Sequence, residues 1–157
     1  MNESLEIFVV KYLIENGLTI SSAESCSGGL IAHRITNVSG SSACFWGGVV
    51  SYSNDAKERL LHVPHDVLRA YGAVSEPVAR AMAEGAREVF GTDHAIGVTG
   101  IAGPTGGTAE KPVGLVYIAI AGPRDTIVTK NHFTGTRESI KEQTAEAALG
   151  LMLEQLR

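Results

Sequence analysis

The chain has 157 residues, 44% of them hydrophobic and 19% charged, with a formal net charge of -4 at pH 7. That length suits one domain with a sizeable core, and an acidic balance without a basic run argues against a nucleic-acid surface. No apolar run reaches the ~20 residues that span a bilayer, the start Met1-Asn2-Glu3-Ser4 is unlike a signal peptide, and two cysteines, Cys26 and Cys44, make no disulfide framework, so a cytoplasmic protein without a membrane partner is expected.

Leu5, Phe8, Val9, Tyr12 and Leu13 recur at helical spacing and predict an amphipathic helix that stops before Gly17. Residues 18–22 read as a strand, feeding the turn Ala23-Glu24-Ser25-Cys26-Ser27-Gly28-Gly29 and then a helix over 30–36. A polar loop over 37–42 precedes a second strand over 45–52, in which Gly47 and Gly48 mark a place where another backbone approaches closely. Ser53 or Asn54 caps a helix that carries Lys57 in its first turn, and a short helix covers 67–71. Ser75-Glu76-Pro77 opens a helix with Val78, Ala81, Met82, Gly85, Ala86 and Val89 on one face. A short strand over 95–99 runs into a glycine-rich loop, Gly100 to Gly107. Residues 113–121 read as a central strand, joined by the turn Gly122-Pro123-Arg124-Asp125 to an antiparallel partner over 126–133. A last helix runs from Arg137 to Leu156 with Ile140, Thr144, Ala147, Ala148 and Leu151 inward. The expected fold is α/β: one layered α/β/α domain over residues 1–157, its mixed sheet mostly parallel with one antiparallel hairpin.

A strand that feeds a glycine turn and a helix aims free N–H groups at one small volume, which suits an anion or the oxyanion of acyl transfer. In that turn Ser25 is the candidate nucleophile, and it needs a base. None of the five histidines, His33, His62, His65, His94 and His132, stands in a glycine turn or at a strand end, and His62-x-x-His65 is interrupted by Pro64 without further ligands, so no metal is expected. Lys57 is the better base. An unperturbed lysine is neutral only about once in 2,500 molecules at pH 7, but burial and the positive end of a helix both favour the neutral amine. Serine with lysine is an established variant of triad logic. Cys26, beside a helix start, leaves open a reactive thiolate or a small buried residue. Glu24 reads equally as a support for the turn or a solvated carboxylate.

The loop 100–107 is neither a dinucleotide fingerprint nor a Walker loop, because no helix start and no Gly-Lys-Ser/Thr follow it. Arg137, after the cap Thr136, sits where a cation is disfavoured by roughly 0.3–1 kcal/mol unless an anion binds there. The position leaves two readings, a phosphate or carboxylate partner that removes this penalty or an exposed arginine.

Five motifs in order complete the picture: Ala23-Glu24-Ser25-Cys26-Ser27-Gly28-Gly29; Gly40-Ser41-Ser42-Ala43; Tyr52-Ser53-Asn54-Asp55-Ala56-Lys57; Gly72-Ala73-Val74-Ser75-Glu76; and Val98-Thr99-Gly100-Ile101-Ala102-Gly103-Pro104, continuing to Glu110-Lys111-Pro112-Val113-Gly114. From about residue 5 to 155 the chain resembles the CinA C-terminal domain family. The resemblance implies hydrolysis of nicotinamide mononucleotide to nicotinate mononucleotide and ammonia, a step of pyridine nucleotide salvage, by a Ser–Lys dyad. Ser25 and Lys57 match the dyad. Tyr52, Thr99 and Arg137 match other site positions, and Ser27, Gly28 and Gly100 are further candidate substrate contacts; many relatives carry Thr where this chain has Ser27. It implies no cofactor, a small-molecule nucleotide as partner and a homo-oligomer. Many relatives carry this domain behind a larger N-terminal one, expected to be absent here, and some fused relatives are weak or inactive amidases. The rival expectation is therefore a non-catalytic, regulatory nucleotide-binding module.

Overall fold

The computed structural model describes residues 3–157, so Met1 and Asn2 of the acidic start lie outside the described residues. The elements follow as α1 Leu5–Glu15, β1 Ile20–Glu24, α2 Leu30–Thr36, a 3-10 turn Ser41–Ala43, β2 Phe45–Val50, α3 Asn54–Leu61, α4 His65–Tyr71, α5 Glu76–Phe90, β3 His94–Gly100, β4 Leu115–Ala121, β5 Thr126–His132 and α6 Arg137–Leu156. The five strands form one sheet in the order β2-β1-β3-β4-β5. β1 runs parallel to both β2 and β3, and β4 is antiparallel to both β3 and β5. This is the layered α/β fold with a mixed sheet that the alternation of elements predicts.

Two apolar layers hold the sheet between helices. Ile20, Ile96, Val98, Val116, Ile118 and Ile120 face α1, α2 and α6 through Val9, Leu13, Ile31, Ile35, Leu149 and Met152. On the other face Ala23 and Ala95 meet Leu61, Leu68, Val78, Met82 and Ala86 of α3, α4 and α5. Small residues let α5 lie close to the sheet: Ala79 and Ala83 meet Ala119 and Ala121. A β-carbon on Gly97 would stand 2.6 Å from the amide nitrogen of Ala83. Among the described residues, no helix is long and apolar enough to cross a membrane.

Several boundaries and faces differ from the sequence expectation. β1 starts two residues later than read, because Thr19 is tied to Asp93 by reciprocal hydrogen bonds, and it continues to Glu24 because both neighbouring strands pair that far. β2 ends at Val50, two residues early, so Ser51 and Tyr52 leave the sheet. β4 begins at Leu115, since Gly114 turns at φ 92° and packs against the Phe133 carbonyl. In α1 the inner face holds Glu6 and Val10 rather than Phe8, because Arg34 pairs with Glu6 at 2.6 Å. Val89 of α5 is exposed, while Ala145, Leu149 and Met152 of α6 take the deep positions that Ala147 and Leu151 only half occupy. At Gly47 the close neighbour is a side chain, the Phe90 ring; at Gly48 it is the Ser22 hydroxyl, with the Ser22 backbone carbonyl next at 3.4 Å from where a β-carbon would stand. The β1–β2 register also shifts by one: Ile20 pairs with Phe45 but Ser21 with Gly47, leaving Trp46 as an extra residue in β2.

Candidate active site

The three parallel strands end side by side, where a parallel α/β sheet leaves room for a ligand. Ser25 follows β1, Ser51 and Tyr52 follow β2, and Thr99 and Gly100 close β3. Alternation along β1 sends Glu24 toward α2 and leaves Ser25 on the side of α3.

Lys57 comes to Ser25 from α3. Ser53 caps that helix by accepting from the Ala56 N–H at 3.1 Å, and helical side chains slant back toward the N-terminus, which carries the Lys57 amine over the end of β2. Its Nζ lies 3.0 Å from Ser25 Oγ and donates to the Ser51 carbonyl at 2.8 Å. Lys57 is 1% exposed and Ser25 8%. Among the described residues no carboxylate pairs with this amine. Burial therefore lowers its pKa below the ordinary lysine value, against a smaller upward pull from the Cys26 thiol. A neutral amine at this distance has a lone pair for the serine proton.

Glu24 resolves as a support of the turn. Its carboxylate accepts from Ser27 Oγ at 2.7 Å and from the N–H groups of Ile31 and Ala32 at 2.9 and 3.0 Å. Ser27 is thereby occupied and fully buried. Within the turn, the Ser25 N–H donates to the Val98 carbonyl and the Gly28 N–H to that of Ser25. Among the described residues the N–H groups of Cys26, Ser27 and Gly29 bond to no other residue's acceptor, and of these three residues only Cys26 lines the cavity, so its amide is the candidate donor to an oxyanion. The Cys26 thiol is a poor nucleophile here: burial, with the Glu24 charge adding to it, pushes its pKa up to about 12.

Around the pair is a cavity of about 230 Å³ lined by Ser25, Cys26, Tyr52, Asn54, Lys57, Ala73, Val74, Thr99, Gly100, Ala102, Gly103, Thr105 and Arg137. Arg137 spans its mouth, donating to the Gly103 carbonyl and to the Tyr52 hydroxyl, both at 2.7 Å. Thr99 spends its hydroxyl on the Ala73 carbonyl at 2.8 Å. Gly100 packs backbone against Leu115 and Val116, so its missing side chain serves the sheet. The structure thus brings Ser25, Lys57, Tyr52, Thr99, Gly100 and Arg137 into one cavity. Ser27 and Gly28 lie instead beside a separate depression with His33, Glu138 and Lys141.

Asn54, Ala73, Val74, Ala102, Gly103 and Thr105 were not singled out as site residues by sequence reasoning. All but Thr105 stand inside the five motifs and were legible there, whereas the Ser51 carbonyl is a backbone group with no sequence signal. His62 ends α3 with φ 57°, and the His65 ring is paired with Glu58 at 2.6 Å. A larger depression of about 670 Å³ lies between α5 and the β4–β5 turn, but Arg80 and Arg87 there are bonded to the carbonyls of Thr126 and Asp93, and no nucleophile faces it.

A buried serine–lysine pair at the carboxyl end of parallel strands, in a cleft rimmed by an arginine, is consistent with a catalytic dyad on an α/β scaffold. The chain belongs to the CinA C-terminal domain family, whose profile matches residues 2–156. It is 53% identical over 148 residues to a CinA-like protein of Geobacter sulfurreducens, covering 94% of this chain and 36% of the relative. It is 52% identical over 154 residues to a CinA-like protein of Koribacter versatilis, covering 98% and 37%. The chain therefore spans little more than a third of the length of these curated relatives. Among solved structures, the competence/damage inducible protein CihA from Agrobacterium tumefaciens is 38% identical with a TM-score of 0.90, covering 98% of this chain and 97% of that one. The competence damage-inducible protein A (ComA) from Klebsiella pneumoniae is 34% identical with a TM-score of 0.94, covering 97% and 94%.

Proposed function

We propose that the chain is an amidohydrolase that converts nicotinamide mononucleotide to nicotinate mononucleotide and ammonia. The observation that carries this reading is the buried Lys57 amine 3.0 Å from Ser25 Oγ, with burial favouring its neutral form. Lys57 takes the Ser25 proton as Oγ attacks the carboxamide carbon, and the oxyanion accepts from the Cys26 N–H. The Lys57 ammonium then gives its proton to the departing nitrogen, releasing ammonia and leaving an ester on Ser25. Water, deprotonated by Lys57, cleaves that ester and restores the alcohol. Arg137, at the mouth of the cavity, supplies the positive charge for the 5′-phosphate.

A coupled ammonia assay on nicotinamide mononucleotide tests this. Wild type should release ammonia; Ser25→Ala should fold and release none above background. Turnover retained in Ser25→Ala would end the dyad mechanism. Nucleotide binding without ammonia release by wild type would favour the regulatory module instead.

A further inference from the structure

We infer that Glu24 is a positioning residue for the Ser25–Lys57 pair, holding the alcohol through its side chain and the amine through its backbone. This rests on the dyad reading above and adds a residue outside the cavity to it.

Glu24 is 1% exposed, and a carboxylate that deep is costly unless its oxygens are satisfied. All its side-chain partners are donors: Ser27 Oγ at 2.7 Å, the Ile31 N–H at 2.9 Å and the Ala32 N–H at 3.0 Å. An acceptor-only, ionised carboxylate meets all three at once. The donors lie after Ser25 in the chain and the acceptor just before it, so these bonds close a ring around the nucleophile. That ring holds a segment which would otherwise be loose, since Gly28 and Gly29 both turn at positive φ.

The main chain of Glu24 reaches the other half of the dyad. Its carbonyl accepts from the Ser51 N–H at 2.9 Å, and the Ser51 carbonyl accepts from Lys57 Nζ at 2.8 Å. One residue thus sets where Oγ stands and, through Ser51, where Nζ stands. Glu24 does not line the cavity, so its loss should act on the rate of attack and not on substrate binding.

The test compares wild type with Glu24→Gln and Ser27→Ala in the full chain. Two rates are measured per folded molecule, well below unfolding: phosphonylation of Ser25 by a fluorophosphonate probe, and ammonia release from nicotinamide mononucleotide. Glutamine keeps the shape but turns an N–H toward an N–H. Phosphonylation and kcat should then fall by about 100-fold, the order expected for a reacting atom misplaced by ~1 Å, with KM within about twofold. The pH of the acid limb should stay where it is in wild type, because position and not charge is lost. Ser27→Ala, which removes one bond of three, should fall about tenfold in the same two rates.

Folded Glu24→Gln with wild-type rates, or a loss confined to KM, would overturn the inference. If Glu24→Gln does not fold, wild-type rates in Ser27→Ala would overturn it. A wild type that is phosphonylated but releases no ammonia would sink the amidase reading alone, with Glu24 then judged on phosphonylation. A wild type that resists the probe and releases no ammonia would sink both.

Discussion

Arg137 donates to the Tyr52 hydroxyl across 2.7 Å, joining residues 85 apart in the chain. Its second nitrogen holds the Gly103 carbonyl at 2.7 Å, so the guanidinium is fixed at the cavity mouth by two neutral acceptors and, among the described residues, no carboxylate. Its charge remains available to an anion. Arg137→Ala should raise KM for nicotinamide mononucleotide by roughly 10- to 150-fold, equivalent to the ~1.5–3 kcal/mol of a hydrogen bond to a charged group, with kcat little changed. The riboside, which lacks the phosphate, should show no such rise. Equal effects on both substrates would place the phosphate elsewhere. Tyr52→Phe should give a far smaller change.

Lys57 predicts two linked pH effects. Burial holds its folded pKa below the ordinary 10.5. Between the folded value and 10.5 the unfolded chain binds the additional proton, so stability rises with pH across that window and is lost as pH falls toward the folded value. Urea unfolding across alkaline pH should show this slope in wild type and a flatter one in Lys57→Met. Activity needs the neutral amine, so kcat/KM should rise with pH along a limb centred below 10.5. Lys57→Met should lose about 10²–10⁴-fold in kcat. A limb absent from wild type would count against Lys57 as the base.

Cys26 touches the cavity but stays protonated, with a thiol pushed up to about 12. Cys26→Ala should keep ammonia release within about threefold of wild type, because the amide that faces the oxyanion is backbone and survives. Alkylation of native protein near pH 8 should be slow. Inactivation by Cys26→Ala would make the thiol, and not Ser25, the nucleophile.

Gly85 is where α5 meets the end of α3. A β-carbon there would fall on the Leu61 carbonyl. Gly85→Ala should cost about 1–3 kcal/mol as overpacking, offset only in part by the ~1 kcal/mol that alanine gains over glycine in a helix. The urea midpoint would read this directly. Because α3 carries Lys57, kcat should fall with it. Gly150→Ala is the contrast: its nearest neighbour is Leu5 Cδ1 at 3.6 Å, an ordinary contact, so it should be neutral or slightly stabilising.

How far the sequence could be read depended on what kind of signal each feature leaves. Helical spacing, apolar runs and caps placed the α-helices and strands, because burial and helix ends write themselves into residue type, while the 3-10 turn Ser41–Ala43 was read as loop. They placed ends less well: β1 runs two residues on because of pairing with two neighbours, and that pairing is invisible locally. Ser25 and Lys57 were legible from the turn and the helix start, and five ordered motifs tied them together. Ser27 was read as facing substrate, but its hydroxyl turns to Glu24, a preference that depends on which face of β1 the carboxylate occupies. Asn54 stood inside a motif but was read only as a helix cap, and the Ser51 carbonyl left no trace because its part is set by where β2 stops.

The unpaired Trp46 absorbs one residue of β2 over a single step of β1. Past it the pairing runs one to one, ending with Glu24 opposite Val50. A chain without Trp46 would set Phe45 and Gly47 against Ile20 and Ser21 directly and still bring Ser51 to the same rung. One residue lost or gained between Gly48 and Ser51 has no such slack: it would move Ser51 and the segment leading to Lys57 by about 3.3 Å, one strand residue, and the amine would miss the alcohol. Chain length is therefore tolerant at Trp46, a side chain 55% exposed, and strict in the few residues after it.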